Sequence, residues 1–213
     1  MAQTFEDVVS VDIPADLLPQ YLDRNNVYWQ ALPLRPGLYR LNLVVKDVQS
    51  GNMGTLEKAI RIPTFDDNTL STSSLIISDK IEKVSTKDIG KGQFVVGSTK
   101  LRPSVSESFR KSDRMGIYLQ VYNLGTDDKT HKPSATIEYD VLKENAQTPA
   151  ARTSVFQTSE KAEEIKGASG QQLTLEKVLP LESLEPGKYK LTVKVTDHIT
   201  NKSITPTASF TVK

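Results

Sequence analysis

Leu34-Arg35-Pro36-Gly37-Leu38-Tyr39-Arg40-Leu41-Asn42-Leu43-Val44-Val45-Lys46-Asp47 has a counterpart 150 positions later, Leu184-Glu185-Pro186-Gly187-Lys188-Tyr189-Lys190-Leu191-Thr192-Val193-Lys194-Val195-Thr196-Asp197. Leu, Pro, Gly, Tyr, Leu and Asp recur without a gap, and Ile60 and Ile62 then align with Phe210 and Val212. A period this long implies two copies of a domain, because solenoid units are far shorter. In the second copy Tyr189, Leu191, Val193 and Val195 alternate with polar residues, the pattern of a strand with one buried and one wet face. Thr200-Asn201-Lys202 makes a turn, and a return strand is predicted over Ser203 to Val212. In the first copy Ser50-Gly51-Asn52 turns the chain and Thr55 to Ile62 returns. Pro-Gly sets a tight bend, and the Tyr two positions on can bury its ring and send its hydroxyl back to nearby backbone, as in the tyrosine corner of Greek-key sandwiches.

The rest of the chain keeps the same period. Ile117 to Asn123, Thr136 to Leu142, Thr153 to Thr158 and Gln171 to Leu179 read as strands, with Leu75 to Ser78 and Phe94 to Gly97 as shorter ones. Pro14 and Pro19 limit Ala15 to Asp23 to one helical turn. Ser159 to Lys166 is charged and short, a loop or a helical turn. The fold class is all-β: two tandem Ig-like or fibronectin-III-like antiparallel β-sandwich domains, over residues 1–66 and 67–213. The polar stretch Ile62 to Asn68 places the boundary. Ile81 to Lys91 and Gln147 to Gly170 are expected as long loops of the second domain. Residues 1–66 supply four strands, Thr4 to Ile13, Val27 to Leu34, Leu38 to Asp47 and Thr55 to Ile62, against the seven of a self-sufficient sandwich. The first domain is therefore expected to be incomplete, with its opening strands upstream in a longer parent protein. Its apolar face is then left bare, or is covered by the second domain or another chain.

Composition narrows function by exclusion. The 213 residues carry 27 Lys+Arg against 26 Asp+Glu, so no electrostatic footprint for nucleic acid arises. No cysteine is present, which removes disulfides, thiolate metal sites and Cys nucleophiles. No apolar run is long enough for a transmembrane helix, and no signal peptide is read at the N-terminus. Two histidines, His131 and His198, cannot build a multi-His metal site. Asp66-Asp67 and Asp127-Asp128 are turn formers before they are calcium ligands, since neither follows the Asp-x-Asp-x-Asp-Gly pattern. Gly92 to Thr99 mimics a P-loop but lacks its Lys. Glu160, Glu163 and Glu164 read as a solvated loop face. Lys100, Arg102, Arg110, Lys111 and Arg114 form a basic stretch diluted by Glu107 and Asp113. No catalytic, cofactor-binding or metal residue is assigned, no cofactor is expected, and the chain reads as non-enzymatic.

Phe94 to Pro103 and Met115 to Leu124, with the two Leu-x-Pro-Gly-x-Tyr-x-Leu hairpins, resemble the C-terminal region of bacterial GWxTD-domain proteins, and the tails of acidobacterial VWFA-like proteins are similar. The Gly-Trp-x-Thr-Asp motif itself is absent, for Trp29 lies in Tyr28-Trp29-Gln30, and no functional residue is carried over. The resemblance implies an extracytoplasmic location, periplasmic or at the cell surface, in a larger exported protein. Two functions compete. One is a tandem Ig-like module acting as a spacer or protein-interaction segment, its partner protein in nature (its own upstream domains or another chain), without nucleic acid or membrane insertion. The other is a carbohydrate-binding module using exposed Tyr118, Tyr122, Tyr28 or Trp29, although Tyr118 and Tyr122, on the outer face of their strand, are expected to be covered by a neighbouring loop or domain.

Overall fold

The structure, a computed structural model, describes residues 4–21, 27–144 and 152–213. Two compact units make up the chain, Met1–Gln30 and Ala31–Lys213. In the first, Thr4 to Ile13 forms no strand, and one short helix, α1 (Leu18–Tyr21), is the turn that Pro14 and Pro19 permit. Val27 to Leu34 is likewise irregular rather than the strand its apolar residues predict. Strand patterning needs a ladder partner to be realised, and neither segment has one. Residues 22–23 of the expected turn and 147–151 of the expected long loop lie outside the described residues.

In the second unit, alternation becomes strands. β1 (Gly37–Lys46) and β2 (Met53–Ile62) pair antiparallel as a two-stranded sheet of their own. The remaining strands form two sheets. One runs in the order β10 (Arg152–Lys161), β9 (Ala135–Glu144), β12 (Gly187–Asp197), β14 (Thr207–Val212) and β7 (Ser108–Phe109), with β13 (Lys202–Ile204) also on β12. The other runs β11 (Gln172–Pro180), β8 (Arg114–Tyr122), β4 (Ile76–Lys83), β6 (Thr99–Pro103) and β5 (Val95–Val96), with β3 (Ser71–Thr72) on β8. All ladders are antiparallel except the short β14–β7 pair. The expected return strand from Ser203 is broken at Thr205-Pro206 into β13 and β14, because Pro offers the ladder no N–H. The expected loop at Ile81 begins as strand, since β4 continues to Lys83 past a bulge between Ser78 and Lys80.

The facing surfaces of the two sheets make the core. Ile137, Tyr139 and Val141 of β9 and Tyr189, Leu191, Val193 and Val195 of β12 meet Met115, Ile117, Leu119 and Val121 of β8 and Leu173, Leu175 and Leu179 of β11. All are buried, and each strand contributes every second residue. The second sheet has a further interior on its other face, where Leu101, Thr99, Ser78 and Tyr118 are buried. Gly116 makes that packing possible: a Cβ there would lie 2.7 Å from Ile81 Cγ2 and 2.9 Å from Ile81 Cβ. No helix among the described residues is long and apolar enough to cross a membrane.

Candidate functional site

The two hairpins share one register. Gly37 faces Ile62 and Tyr39 faces Ile60, as Gly187 faces Val212 and Tyr189 faces Phe210. Both tyrosine hydroxyls donate to the carbonyl four residues back, Tyr39 to Arg35 at 2.8 Å and Tyr189 to Glu185 at 2.5 Å. Both strands end on an Asp that anchors the following turn. Asp47 accepts from Gln49 N–H and Ser50 Oγ, and Asp197 accepts from Ile199 N–H and Thr200 Oγ. Gly51 and Asn201 occupy the same turn position with φ of 75° and 55°, a left-handed conformation that Gly and Asn tolerate best.

Their surroundings differ. The Tyr189 ring is buried, stacks on Phe210 at 5.3 Å, and its strand is flanked by β9 as well as β14. Asp197 is fully buried and reaches the other sheet's loop by accepting from Gly125 N–H at 2.8 Å. Burial pushes its carboxyl up, but the donors from Gly125, Thr200 and Ile199 outweigh it, and the carboxyl is held below the usual carboxylate range. In the first hairpin, β1 has β2 as its single ladder partner among the described residues. Tyr39, Leu41, Leu43, Val45, Leu56 and Ile60 lie on one face, which Lys58 interrupts opposite Leu41, and no residue of either strand is buried. Leu43, Val45 and Leu56 are 38, 61 and 53% exposed. An apolar sheet face beside an open strand edge is a surface built to be covered.

A second, polar feature lies where the sandwich opens between β10 and β11. A cleft of about 420 Å³ is lined by Lys83, Lys166, Glu160, Thr174 and Glu176 among others. Glu160 accepts from the hydroxyl of the buried Tyr139 and lies 4.0 Å from Lys177 Nζ, which sits 4.5 Å over the Tyr139 ring. Glu176 accepts from Thr99 Oγ and pairs with Lys83 at 2.5 Å. Each carboxylate thus already holds a hydroxyl and an ammonium. The Tyr139–Glu160–Lys177 contacts tie one sheet to the other, and Glu160 is a partner within the fold rather than the solvated loop residue expected. A buried Tyr needs a partner for its O–H, and Lys177 stands at a core-facing position of β11; those two signals could have found the cluster.

The other candidates are dispersed. His131 lies in an exposed turn with φ of 53°, whereas His198 Nε2 contacts Thr136 Oγ at 2.8 Å. Asp66 accepts from Asn68 N–H and Thr69 Oγ, and Asp127 from Lys129 and Thr130, so both carboxylates close their own turns. Those hydrogen bonds hold both carboxyls below the usual range. No group of three or more potential ligand side chains converges among the described residues. Arg102 makes a bidentate pair with Asp79 at 2.9 and 2.6 Å, and Lys111 pairs with Glu185 at 3.0 Å, so the basic stretch is locally balanced. Tyr118 is buried, its hydroxyl accepting from Gln120 Nε2, and Tyr122 packs edge-on against Phe65 with ring centroids 5.7 Å apart. These two tyrosines do not form an open platform. In the first unit, Tyr28 is exposed and donates to Asp7 at 3.0 Å, and Trp29 is half-buried.

No family model and no curated protein matches the chain. Among solved structures, a family 123 glycoside hydrolase from Clostridium perfringens is similar at 15% identity over 68% of this chain, with a TM-score of 0.35. The chain spans about a quarter of that structure's length, 27%. A likeness this distant carries no inference about chemistry.

Proposed function

We propose that the chain is a non-catalytic β-sandwich module, serving as a spacer or protein-interaction segment of a larger exported bacterial protein. The observation that carries the proposal is the β1–β2 hairpin, whose apolar face and open edge are exposed while the same hairpin in the sandwich is covered on both. The likeness of both hairpins to the tails of GWxTD-domain proteins supports the exported setting.

The test places a photoreactive residue at Leu43 in the full chain, expressed in its source cell, with a control at exposed Lys188. Discrete protein adducts from position 43 and none from 188 are expected. No adduct at 43, or equal adducts at both positions, removes the interaction role and leaves the spacer.

A further inference from the structure

We infer that the open edge of β1 takes the Thr4–Ile13 segment of a second copy of this chain as an added antiparallel strand, so that two copies exchange these segments reciprocally. The inference rests on the interaction role proposed above and names its partner. Three observations lead to it. β1 lacks the neighbour that β12 has in β9, though both hairpins share one register. Thr4 to Ile13 belongs to no strand, yet alternates apolar and polar over Val9 to Ile13, and Val9 and Val11 are 63 and 51% exposed. Third, the charges are complementary: β1 carries Arg40 and Lys46 and no acid, while the segment carries Glu6, Asp7 and Asp12 and no base.

One antiparallel register satisfies both patterns. With Ile13 opposite Tyr39, Val11 falls on Leu41 and Val9 on Leu43, extending the bare apolar face. On the outer face Asp12 meets Arg40, Ser10 meets Asn42, Val8 meets Val44 and Glu6 meets Lys46. Asp7, opposite Val45, is the one mismatch, and it lies toward the end of the ladder, where water reaches it. A shift by one residue would put Asp12 and Ser10 on the apolar face, so the register is well specified. Strand addition at an open edge supplies main-chain hydrogen bonds for affinity and alternate side chains for specificity.

The experiment measures the mass of the purified full chain by light scattering and sedimentation over micromolar concentrations. Twice 23.6 kDa is expected. Even residues of β1 turn their backbone groups to the open edge, since Asp47 N–H bonds across to Asn52, so Ser10 opposite Asn42 is a hydrogen-bonded pair. Ser10→Pro removes that ladder N–H from a segment that belongs to no strand, and the protein becomes monomeric. Asp12→Arg sets like charges opposite each other and weakens the dimer about tenfold, and adding Arg40→Asp restores it. A chain that is monomeric throughout, a dimer that survives Ser10→Pro, or a charge swap without rescue overturns the inference. If position 43 still captures a different protein in cells while the purified chain is monomeric, the inference falls and the interaction role stands.

Discussion

Replacing Asp197 by Asn should destabilise the sandwich strongly, while the same change at Asp47 should leave it unaltered. Asp197 is buried, and its two oxygens accept four hydrogen bonds: Oδ1 from Ile199 and Thr200 N–H, Oδ2 from Gly125 N–H and Thr200 Oγ. An amide oriented with Nδ2 toward Gly125 opposes one backbone donor, and turned the other way it opposes two. One stranded donor costs about 1–3 kcal/mol, and the remaining contacts fall from charge-assisted to neutral strength. A total near ~3 kcal/mol at neutral pH follows, which lowers the melting temperature by about 6–12 °C in a protein of this size. Asp47 makes equivalent turn contacts at an exposed position, where water replaces whatever is lost. The chain's single Trp29 lies outside the sandwich, so unfolding is best followed by far-ultraviolet circular dichroism and tyrosine fluorescence. Because the Asp197 carboxyl is held below its usual range in the fold, its contribution is complete above the unfolded carboxyl's pKa and is lost as pH falls through the folded one. The difference between wild type and Asp197→Asn must therefore shrink in acid. Equal effects at positions 47 and 197, or a difference that stays constant down to pH about 2, would refute this account of the buried carboxylate.

Two further outcomes are open to measurement. Gly116→Ala places a methyl group within 3 Å of Ile81 and should cost about 1–3 kcal/mol in a urea melt, with Ile81→Ala in the same chain recovering part of the loss. Burial, and then the hydrogen bond to Glu160, push the Tyr139 hydroxyl far above its ordinary value, so in an ultraviolet titration it ionises only on unfolding. Its stabilising contribution holds below the unfolded tyrosine pKa and declines as alkali passes it, and a Tyr139→Phe variant that loses one normally ionising tyrosine from the titration of the intact fold would contradict the buried placement.

Much of the architecture is legible in the alternation of side chains, because a strand's two faces meet different solvents. Ile117 to Val121 and Tyr189 to Val195 announce their ladders, and the hairpins' shared spacing anticipates a shared register. Three things escape such a reading. Alternation says what a segment would do with a partner but not whether one is present, so Thr4 to Ile13 reads as a strand and is none. A charged residue at a core-facing position, such as Lys177, looks like an error until the ring of Tyr139 beneath it is seen. The face opposite the main core is ambiguous: the pattern puts Tyr118 on the outer face of its strand and suggests a cover without naming it, and the second sheet encloses it with Leu101 and Thr99. Sequence separates wet from dry along a strand, whereas enclosure depends on strands distant in the chain.

The order of strands in the sheet that carries β12 bears on how the protein is made. β12 sits between β9, about fifty residues earlier, and β14, which in turn lies beside β7, about a hundred residues before it. During synthesis β7 and β9 emerge long before the strands that join them. The nascent chain must hold Phe109 and Ile137 without their final neighbours until β12 and β14 have left the ribosome. Closure of this sheet thus waits on β12 and β14, and the longer translation pauses before them, the longer these greasy surfaces remain open to chaperones or to each other.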